Sequence, residues 1–527
     1  MRSRARRALG AMLAATLALP AFSVAALGAP PTAVARATAA AGDARAWRRA
    51  HESAILDEFV RFLALPNVAN DRAGIERNAE ALKAMLERRG FAVRVLRQGD
   101  APPIVVGDLA GAKGARTIAF YAHYDGQPTD TLSWRGLPWT PVLRSARGAE
   151  LPPPSEADLS RSGGSDSIDP ESRLYARSAG DDKAPIIAML VALDAMRAAK
   201  RAPAFNLRLV FEGEEEAGSP HLEQYMAAEP ALLRPDAWLI CDGPVHQSRR
   251  PLLAFGVRGT TSVELTVYGP VKGLHDGHYG NWAPNPVARL SHLLAGLRDE
   301  QGKPTIPGFM DEVVAPTAAE LAAIAAIPPV EPALRAEFEI GGSEGGGAPL
   351  NETLLAPAIN LRGLSAGRVG ERATNSIPTE ARASIDFRLV PAQTPTSVRA
   401  HVEAHLASLG WTVVSAPPDS ATRVAHDKVV RLEWGTGYQA ARTPLDAPFS
   451  REVTQLVSAL GREPVLTPTL GGSVPMYLFR EPHGTPVIVL PIANHDDNQH
   501  APNENLRLQN LWDGIETFAA LFAGLGK

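Results

Sequence analysis

The chain has 527 residues, of which 45% are hydrophobic and 21% charged, with a net charge of -4; this excludes a disordered chain and offers no basic excess for a nucleic-acid partner. That length exceeds what one ordinary core needs, so at least two domains are expected. Cys241 is the only cysteine, which excludes an internal disulfide and a Cys-Cys zinc site within the chain.

In chain order, residues 1–27 read as an export signal. Arg2, Arg4, Arg6 and Arg7 precede an apolar run from Leu9 to Leu19, and Ser23, Val24 and Ala25 lie near a plausible cleavage point. The expectation is a secreted protein, in a bacterial periplasm, with no stable membrane span once the signal is removed. An uncleaved anchor is the alternative, disfavoured by the alanine richness and Pro20. The pair Arg6-Arg7 is only a weak twin-arginine signal. Residues 28–45, Ala-rich with scattered Pro and Gly, are expected to form a linker without structure.

From 48 to 90 the pattern predicts two helices: Ile55, Phe59, Phe62 and Leu63, then Ala79, Leu82, Met85 and Leu86, recur at helical spacing before Gly90. Short apolar runs at 117–122, 206–211, 237–241 and 487–490 read as buried strands, with a helix at 184–199 between two of them. This alternation predicts an α/β fold with a largely parallel sheet. The Pro-, Ser- and Gly-rich stretch 152–167 reads as a surface loop. Residues 262–268 and 381–389 alternate as strands and 285–297 is an amphipathic helix, so a second, α+β domain is expected inside the first. The glycines at 341–342 and 345–347 lack a following Lys-Ser/Thr and read as a connector, not a phosphate loop.

Acidic residues and histidines fall at the ends of the predicted strands. His123 and Asp125 follow the first run, Glu214, Glu215 and Glu216 the second, and Asp242 the third; His500 lies a loop beyond the fourth, and Asp181 just precedes a helix. Loops after the C-terminal ends of parallel strands converge on one sheet edge. Each residue alone has a bland explanation as a packed histidine, a solvated loop or a cap. Together at one edge they repel unless a cation sits among them, so a metal pair is expected. Imidazole and carboxylate without thiolate suit zinc, and also manganese or cobalt.

Ordered along the chain stand His123-Tyr124-Asp125 with Pro128, Asp181-Asp182-Lys183, Glu212-Gly213-Glu214-Glu215-Glu216, Asp242, Leu274-His275-Asp276-Gly277, Arg388-Leu389-Val390-Pro391, Gly471-Gly472-Ser473-Val474-Pro475, and His500 with Asn503-Glu504. In this the chain resembles the M20 metallopeptidase family, which includes carnosinase-type dipeptidases, acetylornithine deacetylase, succinyl-diaminopimelate desuccinylase and aminoacylase. The resemblance implies a zinc-exopeptidase-like, mostly parallel sheet with helices on both faces and an inserted lid or dimerisation domain. Its boundaries would be 46–255 and 431–527 for the two parts of the catalytic domain and 256–430 for the insert.

By position it further implies that Asp181 bridges two divalent ions, with His123 and Asp242 on one and Glu216 and His500 on the other. Glu215 would be the general base, Asp125 would orient His123, and His275 would serve the developing oxyanion, in a partner's site if the protein is a homodimer. Arg388, with Gly472 and Ser473, would hold the substrate's carboxylate. The activity implied is hydrolysis of dipeptides or small peptides with a free carboxylate; removal of an N-acyl group from an amino acid is the alternative, and a non-catalytic binding protein a remote one. Departures from the family pattern are Arg177-Ser178, Lys183-Ala184, Asp276, and Thr469-Leu470 before the Gly-Gly-Ser; none touches an implied ligand. Ser473 also follows two glycines, but a serine-hydrolase elbow is absent.

Overall fold

The computed structural model describes residues 31–151, 168–472 and 474–526. The signal expected at 1–27, the loop expected at 152–167 and Ser473 lie outside the described residues. The larger sheet has eight strands, in spatial order Ala92–Leu96, Ile104–Leu109, Asn206–Glu212, Thr117–His123, Ala237–Ile240, Val487–Val489, Leu252–Ala254 and Val465–Thr467. The four central strands from Asn206–Glu212 to Val487–Val489 run parallel. At one edge Ala92–Leu96 and Ile104–Leu109 pair antiparallel, because neighbours joined by a short turn have no crossover helix to reverse their direction.

Alternation along the central strands divides the interior in two. Ile118, Phe120 and Ala122, with Leu207, Leu209 and Phe211, pack under the helices Pro31–Leu63, Lys183–Ala198 and Leu508–Gly524. Ala119, Tyr121 and Val210 face the other way, toward Leu222 and Tyr225 of one helix and Met476 and Phe479 of another. Both sheet faces are therefore covered, as parallel strands require.

The linker expected at 28–45 is corrected by the first helix, which begins at Pro31 and continues to Leu63. Ala37, Ala40, Ala41 and Ala44 are buried on it, Arg36 Nε donates to the carbonyl of Ala523 at 3.0 Å, and Arg45 pairs with Glu516 at 2.6 Å. Alanine is the strongest helix former, and its small side chain lets two helices approach closely. A composition that looks like a spacer is here a packing stripe. The helix leaves regular geometry at His51, whose Nδ1 lies 2.7 Å from the carbonyl of Trp47 and competes with the backbone there.

The second sheet has the order Ala358–Ala366, Glu380–Leu389, Gly259–Tyr268, Val429–Trp434, Thr412–Val414. Val263, Leu265, Val267, Ile385, Phe387 and Leu389 form its buried face with residues of the helices Pro286–Ala295 and Pro395–Ser408. Its strand Val429–Trp434 runs past the boundary expected at 430. The segments entering and leaving this unit, Gly256–Val257 and Ala441–Arg442, pair antiparallel. Gly256 is required there, since a Cβ would stand 2.7 Å from the carbonyl oxygen of Ala441. Among the described residues no helix is long and apolar enough to cross a membrane.

Candidate metal centre

The C-terminal ends of the parallel strands meet at one edge, as expected of such sheets. His123 closes the strand Thr117–His123, and Glu215 and Glu216 form the turn after Asn206–Glu212. Asp242 follows Ala237–Ile240, and Asp181 stands just before the helix Lys183–Ala198. His500 lies on the loop after Val487–Val489, in a left-handed conformation with φ of 60°.

These residues form two groups that share Asp181. His123, Asp181 and Asp242 make one, and Asp181, Glu216 and His500 the other; within each, one side-chain atom per residue lies within 4.8 Å of the rest. Asp181 Oδ1 is 2.8 Å from His123 Nε2, and its Oδ2 is 3.1 Å from His500 Nε2. His500 Nε2 is also 3.1 Å from Glu216 Oε2, and His123 Nε2 is 3.9 Å from both Asp242 Oδ1 and Glu215 Oε2. Six of the eight side chains that the sequence brings to the edge therefore meet directly, while Glu214 turns away to His221 at 2.9 Å.

Asp125 is completely buried and does more than stand beside His123. Its two carboxylate oxygens accept the backbone N–H groups of Glu215 at 3.1 Å and Glu216 at 3.0 Å, while His123 Nδ1 lies 3.4 Å from Oδ1. The acidic turn and the histidine are thus tied to one carboxylate.

Sequence reasoning assigned no role to several further residues. Gln127 donates to Glu216 at 2.8 Å and Gln499 donates to Asp181 at 3.0 Å. Asp182 accepts the N–H of His123 at 3.1 Å. Glu504, fully buried, accepts from Arg177 Nη1 at 2.7 Å and from the N–H groups of Ser178, Gly180 and Asp181, each at 3.0 Å. It joins the His500 loop to the Asp181 loop. The only sequence signal was its place four residues after His500; its partners are more than 300 positions away.

Charge in the cluster is unbalanced. Burial pushes Asp242 up to about 7 against the attraction of His123. Burial raises Glu215 well above the carboxylate range; the charges of Asp242, Asp181 and Glu216 add to this and His123 opposes it. Hydrogen bonds to Asp181 and Glu216 lift His500 to about 10. Burial disfavours ionised Asp181, yet its bonds with His123 and His500 outweigh that and hold it below its usual range. Divalent cations among these carboxylates would supply the opposing charge. The donor set of imidazoles and carboxylates, with one carboxylate common to both groups, fits a pair of such ions.

The remaining sequence-predicted residues are spread more widely. Arg388 lies on Glu380–Leu389, opposite in face to the buried Phe387 and Leu389, and its Nε donates to Asp386 at 2.8 Å. Thr260 donates to the other oxygen of Asp386 at 3.1 Å. Asp386 was not foreseen as the group that orients Arg388. Gly472 is exposed in the loop that the N–H of Leu470 anchors to Gly256 at 2.8 Å. His275 is exposed, caps its own short helix by accepting the N–H of Gly277 at 3.1 Å, and its ring lies tilted at 40° to that of His278, centroids 4.5 Å apart. Its side-chain contacts are with Asp276, Gly277 and His278, and among the described residues none is to the acidic cluster.

A family model for peptidase family M20/M25/M40 matches residues 119–523. The chain belongs to this family. It is 26% identical over 438 residues to a Cys-Gly metallodipeptidase of Saccharomyces cerevisiae, covering 80% of this chain and 81% of that one. It is 27% identical over 443 residues to the human Beta-Ala-His dipeptidase, covering 81% and 78%. A succinyl-diaminopimelate desuccinylase of Variovorax paradoxus is 26% identical over 375 residues, 68% of this chain and 75% of that one. Among solved structures, an M20 family metallo-carboxypeptidase from Sulfolobus solfataricus superposes with a TM-score of 0.69 at 25% identity, over 89% of this chain and 99% of that one.

The family places this protein among metal-dependent peptidases and related hydrolases, and the two side-chain groups sharing Asp181 are its candidate metal ligands. The expected secreted, periplasmic location is corrected by the same relatives. The yeast Cys-Gly metallodipeptidases it resembles are intracellular or cytosolic enzymes, and a secreted, periplasmic location is unsupported.

Proposed function

We propose that this protein is a two-metal dipeptidase or small-peptide carboxypeptidase that hydrolyses the peptide bond next to a free carboxylate. The observation that carries the reading is the Asp181 carboxylate, held with one oxygen toward His123 and the other toward His500, and with Glu215 beside them. His123, Asp181 and Asp242 would hold one ion, and Asp181, Glu216 and His500 the other, with zinc expected and manganese or cobalt as alternatives. When bound, such ions lower the pKa of a water from about 15.7 to roughly 7 and polarise a carbonyl.

Glu215 acts as general base. Burial raises its carboxylate above the ordinary range, which favours its taking up a proton and returning it to the departing amine. Asp125 fixes the backbone of that turn and so the direction of Glu215 and Glu216. Arg388, steadied by Asp386, presents its planar guanidinium to the substrate's carboxylate, and Gly472 and Ser473 are the further donors that their sequence positions imply. The second sheet then serves as a lid and dimerisation unit, and His275 reaches the developing oxyanion of a partner's site; its exposed position and local contacts support this.

Deacylation of N-acyl amino acids is the second reading, favoured by the desuccinylase relative. One experiment separates them. Metal-stripped protein reconstituted with zinc or manganese is given unblocked dipeptides beside N-acetyl and N-succinyl amino acids. Metal-restored dipeptide cleavage supports the first reading, cleavage of only acyl compounds the second, and silence on all of them refutes both.

A further inference from the structure

Arg258 lies where the chain passes from the first sheet into the second, and it is only 7% exposed. Its Nη2 donates to the carbonyl of Ala356 at 3.1 Å, and its Nε has no hydrogen-bond partner. The other buried arginines each meet an acid: Arg89 pairs with Glu58, Arg144 with Glu150, Arg177 with Glu504 and Arg507 with Asp496. Among the described residues Arg258 has no carboxylate at ion-pair distance. A buried guanidinium without a counter-charge is strongly disfavoured.

Its surroundings add positive charge. Arg258 stands two residues before Thr260, whose ladder partner is Arg388, and the charge of Arg388 reaches it. Burial and then the charge of Arg388 push Arg258 down to about 10, against the smaller pull of Asp386. Asp386 is already bonded to Arg388 and Thr260. A cavity of about 450 Å³ opens onto Arg258, with Lys303, Glu344 and Glu352 as its other charged lining residues. Glu344 is paired with Arg298. The wall thus carries two cations, Arg258 and Lys303, and two acids, of which Glu344 is neutralised by Arg298 from outside the lining; Arg388 is not part of the wall.

We propose that this cavity is a second carboxylate-binding pocket, separate from Arg388, in which Arg258 receives the carboxylate of a small organic acid. A bound carboxylate supplies the missing counter-charge and can take two parallel hydrogen bonds from the guanidinium. It has two possible sources. On the peptidase reading it is the acidic side chain of a substrate, which makes acidic dipeptides the preferred class; otherwise it is a free dicarboxylic acid.

The test compares the metal-loaded full chain with Arg258→Met and Arg258→Lys. Calorimetric titration with succinate is expected to show binding by the parent, at least tenfold weaker binding by R258M, and partial retention by R258K. R258M by itself is expected to keep or raise the thermal midpoint, because it removes an uncompensated charge; a drop would assign Arg258 a structural role and overturn the proposal. With substrates, kcat/KM for Ala-Glu over Ala-Gln is expected to exceed ten in the parent, through KM, and to fall to about one in R258M. Succinate binding with a parent ratio near one assigns the pocket to a free acid. No succinate binding and an unchanged ratio in R258M overturns the proposal. If no dipeptide is cleaved at all, the peptidase reading fails, while the succinate titration still decides the pocket.

Discussion

Glu504→Gln is the sharpest test of how the centre is held together. The parent carboxylate has no exposure, and each oxygen accepts two hydrogen bonds, Oε2 from Arg177 and Ser178 and Oε1 from Gly180 and Asp181. In glutamine one oxygen becomes an NH2 group that faces two donors, and Arg177, itself 2% exposed, loses its counter-charge. Removing one partner of a buried ion pair costs about 3–5 kcal/mol, which at about 1.4 kcal/mol per power of ten is roughly two to three and a half powers of ten in the unfolding constant. The Asp181 loop loses its anchor at the same time, so metal affinity is expected to fall about 10–100-fold, the usual effect of losing an outer hydrogen-bond partner. Denaturant unfolding of the metal-free protein and metal titration measure the two effects separately. The double variant E504Q/R177M is expected to recover part of the stability, since neither charge is then left alone. Stability within about 0.5 kcal/mol of the parent, with unchanged metal affinity, would refute the reasoning.

Other consequences can be checked alongside. Glu215→Gln is expected to lower kcat by about 10²–10⁴ while elemental analysis still finds the parent's metal content; loss of metal would instead make Glu215 a ligand. Ala40→Leu in the first helix is expected to cost about 1–3 kcal/mol by overpacking, because Ala40 is buried; an unaffected thermal midpoint would return that segment to the status of a spacer. Asp496 is held at about 2: burial opposes its ionisation, but hydrogen bonds from Arg173 and Asn494 and the charges of Arg173 and Arg507 prevail. Its folded pKa lies below the ordinary 3.8, so its stabilisation is present above about 3.8 and is lost as pH falls toward 2. Asp496→Asn should therefore lower the melting midpoint at pH 6 and converge with the parent near pH 2, and a constant difference across that range would contradict the assignment.

Much of the larger sheet was legible in the residues. The runs at 117–122, 206–211 and 237–241 correspond to Thr117–His123, Asn206–Glu212 and Ala237–Ile240, because a strand buried on both faces has to be continuously apolar. The alternation at 381–389 put Arg388 on the face opposite Phe387, where the structure has it. The edge hairpin Ala92–Leu96 and Ile104–Leu109 was not foreseen, since its short, partly exposed first strand has no strong apolar signature. The alanine stripe from Ala33 to Ala44 was misread because composition cannot distinguish a spacer from a helix with a partner.

By itself, then, the sequence determined the four central parallel strands, which side chains stand at their C-terminal ends, and that histidine and carboxylate would meet there. Those are consequences of periodicity and chain order, both local properties. Tertiary structure alone decided that Asp181 lies between His123 and His500, that Glu504 secures the Asp181 loop, and that Arg258 is buried without an acid. Each depends on groups far apart along the chain being brought within hydrogen-bond reach, or kept out of it, by the packing of whole sheets and helices, and no local pattern encodes such distances.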